Sequence, residues 1–165
     1  MNSIDLLRWI HVLSAATWLG EVIVINVILI PVLAQLEREK RAWFMAAVFP
    51  RVFQLASIIV ATALLSGAAL NLSMSGWDLH TAIARLFSGS RWGYAILIAG
   101  SLGLGLGLFH FVAESRLEPR VVAAESSAEQ ADLEIVLRRL KIIPRVGLGI
   151  LLVIFLLMMA AAHGL

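Results

Sequence analysis

The chain has no cysteine, and only 15% of its 165 residues are charged. Without cysteine there can be no disulfide bond, no zinc–thiolate site, no iron–sulfur cluster and no thiol nucleophile. The low charge is also restrictive, because soluble domains carry about 25% charged residues. Hydrophobic residues make up 61% of the chain, and a globule of this size cannot bury so much apolar surface. A soluble enzyme, a nucleic-acid-binding protein and a disordered regulator are therefore poor interpretations.

Motifs of soluble catalysis are missing as well. The sequence has no serine–histidine–aspartate set, no HExxH motif and no glycine loop that would bind phosphate. The sequence therefore leaves open whether the protein is an enzyme.

Long apolar runs are what the chain has instead. Each of four runs is near or above the roughly 20 residues that cross a bilayer as a helix. They lie at about residues 6–34, 46–72, 92–113 and 143–163. We predict an all-α fold in which residues 1–165 form a single transmembrane domain, a four-helix bundle surrounded by membrane lipid.

Proline marks three of these runs. Pro31 lies near the end of the first run and is expected to bend that helix or to begin its termination. Pro50 and Pro144 each precede Arg-Val at the start of the second and fourth runs. Since a proline in a first helical turn gives up an N–H that would be unpaired anyway, we expect both helices to begin close to these prolines.

The distribution of positive charge predicts the orientation. Of the 13 lysines and arginines, three lie in the N-terminus and the loop 73–91, and ten lie in segments 35–51 and 114–145. Cytoplasmic loops carry the excess of positive charge. We therefore predict a bacterial-type inner (plasma) membrane protein with both termini on the outer, periplasmic side. The first run is too long for a signal peptide and is expected to remain as a helix.

The two longer loops each contain a helical pattern. In the outer loop, apolar residues at 79, 83, 86 and 87 predict a short helix lying in the membrane interface. In the charged cytoplasmic loop, Ser126 and Glu129 have the spacing of a capping box. They predict an amphipathic helix over about 127–141 that continues into the fourth span, with a kink at Pro144.

Small residues in the third span predict close helix packing. Gly103 and Gly107 are four residues apart, which allows a neighbouring backbone to approach closely. That neighbour is either another helix of the same bundle, a second copy in a homodimer, or another membrane subunit of a redox complex.

Polar side chains in the first span share one face. At 100° per residue, His11 and Trp18 lie about 20° apart, and Ser14 and Glu21 lie within about 80° of His11. Because ionisable groups are costly in lipid, this face is expected to point into the bundle. Glu21 has no cationic residue at its depth, so it is protonated, hydrogen-bonded to a polar neighbour, or part of a proton or charge relay.

The same helix carries a family resemblance. The run 7–20, Leu-Arg-Trp-Ile-His-Val-Leu-Ser-Ala-Ala-Thr-Trp-Leu-Gly, resembles the first-helix signature of CopD-like (copper-resistance D domain) membrane proteins. It is also similar to the first helix of HemJ-type membrane proteins, in which the histidine of this helix is implicated in binding haem b. The resemblance implies a four-helix membrane fold and a cofactor site that includes His11 and Trp18.

Histidine and methionine gather on the predicted outer side. His11, His80 and His163 lie there, and Met158 and Met159 come shortly before the C-terminus. Imidazole ligates haem iron and copper, and thioether favours Cu(I). His11 is the predicted first axial ligand of a haem, with His163 or His80 as the second.

An inner site is the other arrangement considered. His110 lies on the predicted inner side, where Arg51 and Arg145 could pair with haem propionates, although lipid anchoring also explains these arginines. The outer site predicts that replacing His110 leaves the cofactor in place.

Three functions remain open at this point. The first is a CopD-like b-type cytochrome in membrane electron transport. The second is a copper-handling or copper-transport protein whose outer histidines and methionines receive the ion. The third is a cofactor-free accessory subunit of a larger membrane redox or transport complex.

Overall fold

The fold is all-helical over the described residues of a computed structural model. The model describes residues 2–126 and 130–163, and their side chains except at position 38 and in segment 117–141. The helices are α1 (Ser3–Val24), α2 (Ile30–Gln35), α3 (Arg38–Ser73), α4 (Leu79–Leu86), α5 (Arg91–Ser126) and α6 (Gln130–His163). A π-helical turn, Ile25–Leu29, joins α1 to α2.

Four helical stretches are long and apolar enough to cross a membrane. They are Ser3–Gln35, Glu39–Ser73, Arg91–Arg116 and Ile142–His163. The prediction of an all-α chain with four membrane-spanning helices is confirmed, and the chain has the character of a multi-pass membrane protein.

The long helices form an antiparallel bundle. α1 packs on α3, α3 on α5 and α5 on α6, and α6 returns to contact α1. At one end lie the start of α1, the end of α6 and α4, and we call it the α4 end. At the other lie the α2–α3 turn and segments 116–126 and 130–142, and we call it the basic end.

Two clusters of buried side chains hold the bundle together. In the middle, Trp18 of α1 packs with Val60 and Ala63 of α3 and Leu151 of α6. Nearer the basic end, Leu33 of α2 packs with Met45 and Phe49 of α3. Many large apolar side chains on the opposite helix faces are exposed, as expected for surfaces that face lipid instead of water.

The expectation that a helix begins near Pro50 is wrong, whereas the fourth span does start close to Pro144, inside a helix that continues into it as predicted for segment 127–141. Both prolines lie well inside longer helices, α3 and α6. In α3 the residues before Pro50 are held in place by the buried contacts of Met45 and Phe49. This packing offsets the hydrogen bond that a proline removes from a helix interior.

The π-helical turn lies directly before Pro31, where a bend or an ending was expected. Within it the Ile30 N–H donates to Ile25 O, five residues back. Such a turn adjusts the helix to a residue that has no N–H to donate. Asn26 lies in this turn, and its side chain links the turn to α6. Its Nδ2 donates to Val22 O at 2.8 Å and to Pro144 O of α6 at 2.9 Å. The helix ends at Gln35, four residues after the proline.

The predicted helix between the second and third spans is confirmed as α4. A turn with positive φ at Gly76 and Trp77 precedes it, and the Asp78 carboxylate accepts from Thr81 N at 2.7 Å at its start. Arg85 then lies over the Trp92 ring, 4.6 Å from its centroid, which ties α4 to α5.

The predicted helix at 127–141 is described only in part. Positions 130–141 are helical and continue without a break into the fourth span. The predicted capping box includes Glu129, which lies outside the described residues. The side chains that would make this segment amphipathic also lie outside them.

Gly103 and Gly107 face the inside of the bundle. A Cβ added at Gly107 would lie 2.7 Å from Leu64 Cδ1 and 3.1 Å from Val60 Cγ1, so a side chain there would require these side chains of α3 to move. A Cβ at Gly103 would meet Leu64 and Ile154 in ordinary contact. In this chain the glycine pair serves packing between its own helices.

Candidate functional site

His11 is held on α3 by a hydrogen bond between helices. Its Nδ1 lies 2.9 Å from the backbone oxygen of Ala63. Since a carbonyl oxygen can only accept, Nδ1 carries the hydrogen and donates it. In the neutral ring the other nitrogen, Nε2, then keeps its lone pair for a ligand.

Gly67 makes room for the His11 ring. A Cβ at position 67 would lie 2.8 Å from Cε1 and 3.0 Å from Nδ1 of His11. Any side chain there would collide with the imidazole, which fills the space over the glycine. The ring is therefore fixed both by its hydrogen bond and by its seat on α3.

The polar face of α1 points into the bundle as expected. Trp18 is almost fully buried in the central cluster, and His11, Ser14 and Glu21 are half-buried. Trp18 comes seven residues after His11, or about 10 Å along the helix. Trp18 packs with Val60, Ala63 and Leu151, and this cluster lies deeper in the bundle than His11.

Glu21 is the least satisfied polar group of this face. Its Oε2 is buried and has no hydrogen-bond partner among the described residues. Of the three states considered for Glu21, hydrogen bonding of this oxygen to a polar neighbour is not observed. Protonation and a relay role stay as predictions.

The other predicted ligands lie at the α4 end but are more exposed. His80 is exposed on α4, and His163 is exposed at the end of α6, where its Nδ1 donates to Met159 O at 2.8 Å. Met158 is half-buried and Met159 is exposed. His163 comes twelve residues after the buried Leu151, about 18 Å along α6, so it lies about 8 Å beyond the level of His11.

These side chains do not converge into a metal site of three ligands. Among the described side chains, which exclude position 38 and segment 117–141, no group of three or more histidine, aspartate or glutamate residues lies close enough to hold a metal ion. A haem held by one histidine would need no such group. The assignment of His11, His80, His163 and the methionines to a cofactor stays a prediction.

A second polar cluster joins α3 to α5 nearer the basic end. The Ser57 hydroxyl lies 3.0 Å from His110 Nε2 and donates to Glu114 Oε2. His110 Nε2 and Glu114 Oε2 are 3.9 Å apart, and both side chains are only 18% exposed. We call Ser57, His110 and Glu114 the basic-end cluster.

Sequence reasoning considered His110 but missed its two partners. His110 and Glu114 are four residues apart, so they lie on the same face of a helix. That spacing within an apolar run was a usable signal for a paired site. Ser57 leaves no such signal, because only the packing of α3 on α5 brings it there.

Comparison with protein-family models, with curated proteins and with solved structures gives no match to this chain.

Proposed function

We propose that this protein is an integral membrane haem protein of the b type that takes part in electron transfer, and that His11 is an axial ligand of its iron. The observation that carries the proposal is the state of the His11 ring. Nδ1 donates to the Ala63 carbonyl, and Nε2 is left with its lone pair. Histidines that bind metals usually make this kind of hydrogen bond with their other nitrogen, which fixes the tautomer and the ring orientation.

The surroundings of His11 fit an imidazole ligand. The ring is seated on Gly67 and lies in a half-buried position of a membrane bundle, the usual place for cofactors in such folds. A bound haem would supply a one-electron redox centre. The resemblance of the run 7–20 to the first helix of CopD-like and HemJ-type proteins points to the same histidine.

The orientation belongs to the proposal as well. Ten of the 13 lysines and arginines lie in segments 35–51 and 114–145, which favours placing the basic end in the cytoplasm of a bacterial-type cell. The termini, α4 and His11 would then lie towards the periplasm.

The test compares His11→Ala with His110→Ala in protein purified from the membrane. We expect the wild type to have a Soret band and a reduced α-band near ~560 nm, typical of haem b with histidine ligation. His11→Ala should lose the cofactor and still insert, because insertion depends on hydrophobicity and loop charge. His110→Ala should retain the cofactor.

Each outcome has a distinct meaning. Full retention of haem by His11→Ala, or its loss in His110→Ala, would contradict the proposal and move the site towards the basic end. A cofactor-free wild type would leave the accessory-subunit function.

A copper function is the second candidate, and one observation favours it. Met159 and His163 are four residues apart on α6, and both are exposed at the α4 end. A thioether and an imidazole on one helix face suit Cu(I). Elemental analysis separates this case, since it would find copper in protein that has no haem spectrum, and Met159→Leu with His163→Ala should remove that copper.

A further inference from the structure

The basic-end cluster has no part in the function proposed above, although it places two ionisable side chains inside a membrane span. Such groups are rare at membrane depth and often mark paths for protons or ions. Here they are joined across two helices by a hydroxyl that contacts both. Close packing at Gly107, less than one turn from His110, brings α3 near enough for Ser57 to reach them.

In the structure, the hydrogen bonds of the three groups run in one direction. Ser57 has one hydroxyl hydrogen, and it points to Glu114 Oε2. The Ser57 oxygen must therefore accept from His110, whose Nε2 carries a hydrogen in this arrangement. The chain of donors runs from His110 to Ser57 to Glu114, and Glu114 is then the carboxylate that receives.

We propose that the basic-end cluster is a proton-transfer site, in which one proton passes between the Glu114 carboxyl and the His110 imidazole through the Ser57 hydroxyl. In one state Glu114 is a carboxylic acid that donates to Ser57, and Ser57 donates to the lone pair on His110 Nε2. In the other state Glu114 is a carboxylate, Ser57 donates to it, and the imidazolium donates to Ser57.

The step balances without any other reactant. The Glu114 O–H bond breaks as the hydrogen moves to Ser57, and the Ser57 O–H bond breaks as its own hydrogen moves to His110 Nε2. Ser57 ends as a neutral hydroxyl that points the other way. Atoms, electrons and the net charge of the cluster are unchanged, and only the charge separation differs between the two states.

The position of the cluster along α5 indicates which of its members is nearer to water. Glu114 is two residues from Arg116, where the apolar stretch of α5 ends at the basic end. His110 lies four residues deeper, about 6 Å along the axis. Glu114 is thus the member nearer to water, and His110 holds the proton one helical turn inside the span.

Ser57 is required because the two ionisable groups do not bond directly. His110 Nε2 and Glu114 Oε2 are 3.9 Å apart, which is beyond hydrogen-bond distance. The hydroxyl between them closes that gap with two shorter contacts. Without this hydroxyl the imidazole and the carboxyl would still interact electrostatically, but no hydrogen-bonded path would join them for a proton to pass along.

Several charged side chains lie on the helices packed around the cluster. The described ones at the basic end or in the middle of the bundle are Glu39, Lys40, Arg41 and Arg51 of α3, Arg116 of α5, Arg145 of α6 and Glu21 of α1. Arg51, Arg116 and Arg145 are exposed. Among the described side chains, the ion pairs of the molecule include none between these arginines and Glu114.

The experiment follows both ionisable groups in the same protein as the pH changes. Protein with ¹⁵N-labelled histidine, reconstituted in lipid nanodiscs, reports His110 by NMR, with His110→Gln assigning its signals. Infrared difference spectroscopy reports the carboxylic acid of Glu114, with Glu114→Gln assigning the band. The variants are Ser57→Ala, Ser57→Thr, which keeps the hydroxyl, and the matched control Ser115→Ala on the exposed face of α5.

We expect the first proton that the wild-type cluster takes up to change the signals of both groups at a common midpoint, since that macroscopic step belongs to the pair. In Ser57→Ala the two midpoints should separate by more than about one pH unit. Ser57→Thr should restore the common step, and Ser115→Ala should match the wild type.

Three results would overturn the proposal. One is a wild type in which His110 and Glu114 respond at well separated pH values. Another is a Ser57→Ala variant that keeps the common step. The third is a Ser57→Thr variant that folds and yet behaves like Ser57→Ala, since the hydroxyl would then not be the connecting group. None of these readouts depends on haem or copper, so the proposal stands or falls independently of His11.

Discussion

At the scale of single residues, the fit between His11 and Gly67 determines the geometry of the candidate cofactor site. The imidazole occupies the space that a side chain at position 67 would need, and its Nδ1 reaches the Ala63 carbonyl just below. The two contacts depend on each other, because moving the ring off Gly67 also lengthens the hydrogen bond.

Gly67→Ala tests this dependence. A methyl group 2.8 Å from Cε1 would push the ring away, and loss of the hydrogen bond should lower the free energy of unfolding by about 1 kcal/mol. Gly100→Ala is the matched control, since a Cβ there meets nothing within 4 Å. Thermal unfolding in detergent should give a lower Tm for Gly67→Ala than for Gly100→Ala, and equal values would show that the fit at Gly67 has no energetic weight.

The surroundings of His11 could be predicted from the sequence only in part. The position of His11 on a bundle-facing stripe followed from helical spacing and the cost of ionisable groups in lipid. Its partner could not be predicted, because the acceptor is a backbone oxygen that every residue has. Ser57 was missed for a related reason, as its contacts depend on the rotation of α3 against α5.

At the scale of single elements, α4 depends on its N-terminal cap. The Asp78 carboxylate accepts from Thr81 N at 2.7 Å. Hydrogen bonding by the Thr81 side chain, and then by its backbone N–H, lowers the pKa of Asp78 below its ordinary value. A carboxyl whose folded pKa is lowered stabilises the helix above its unfolded pKa. The stabilisation is lost as the pH falls through the folded pKa, because the protonated group is a weaker acceptor.

Asp78→Ala should therefore loosen α4 at neutral pH, and acid should loosen the same helix in the wild type. Hydrogen–deuterium exchange of the first turn of α4 measures both effects. The first turn of α1 is an internal control, since its cap is Asn2, which accepts from Asp5 N at 2.8 Å and does not titrate. Equal acid sensitivity of the two helix starts would contradict this account of the cap.

Most of the helices, but not all of their starts, could be predicted from the sequence. The existence and number of the spans followed from the length of the apolar runs, and α4 followed from the spacing of its apolar residues. The start of α3 was misplaced because Pro50 was interpreted by local preference alone. Tertiary contacts, such as those of Met45 and Phe49 with Leu33, carry α3 through its proline.

At the scale of the whole molecule, the two candidate sites lie at different levels of the bundle. His11 is nearer the α4 end, and the basic-end cluster begins two residues from the end of the apolar stretch of α5. The central cluster around Trp18 and Val60 lies between them. A redox centre at His11 and a proton site at Glu114 would thus be reached from opposite sides of the membrane.

The last prediction concerns which side is which, and the absence of cysteine makes it directly measurable. Ser88→Cys introduces a thiol at an exposed position between α4 and α5, and Glu37→Cys introduces one at an exposed position between α2 and α3. Replacing Glu37 removes only a surface ion pair with Lys40, which contributes little to stability.

Because positive charge is retained in the cytoplasm, a membrane-impermeant maleimide should label Ser88→Cys in intact cells with a permeabilised outer membrane. It should label Glu37→Cys only after the inner membrane is opened. The cysteine-free parent gives the background. The reverse pattern would place the basic end outside and Glu114 with it, and labelling of both positions from one side would contradict a bundle whose helices cross the membrane.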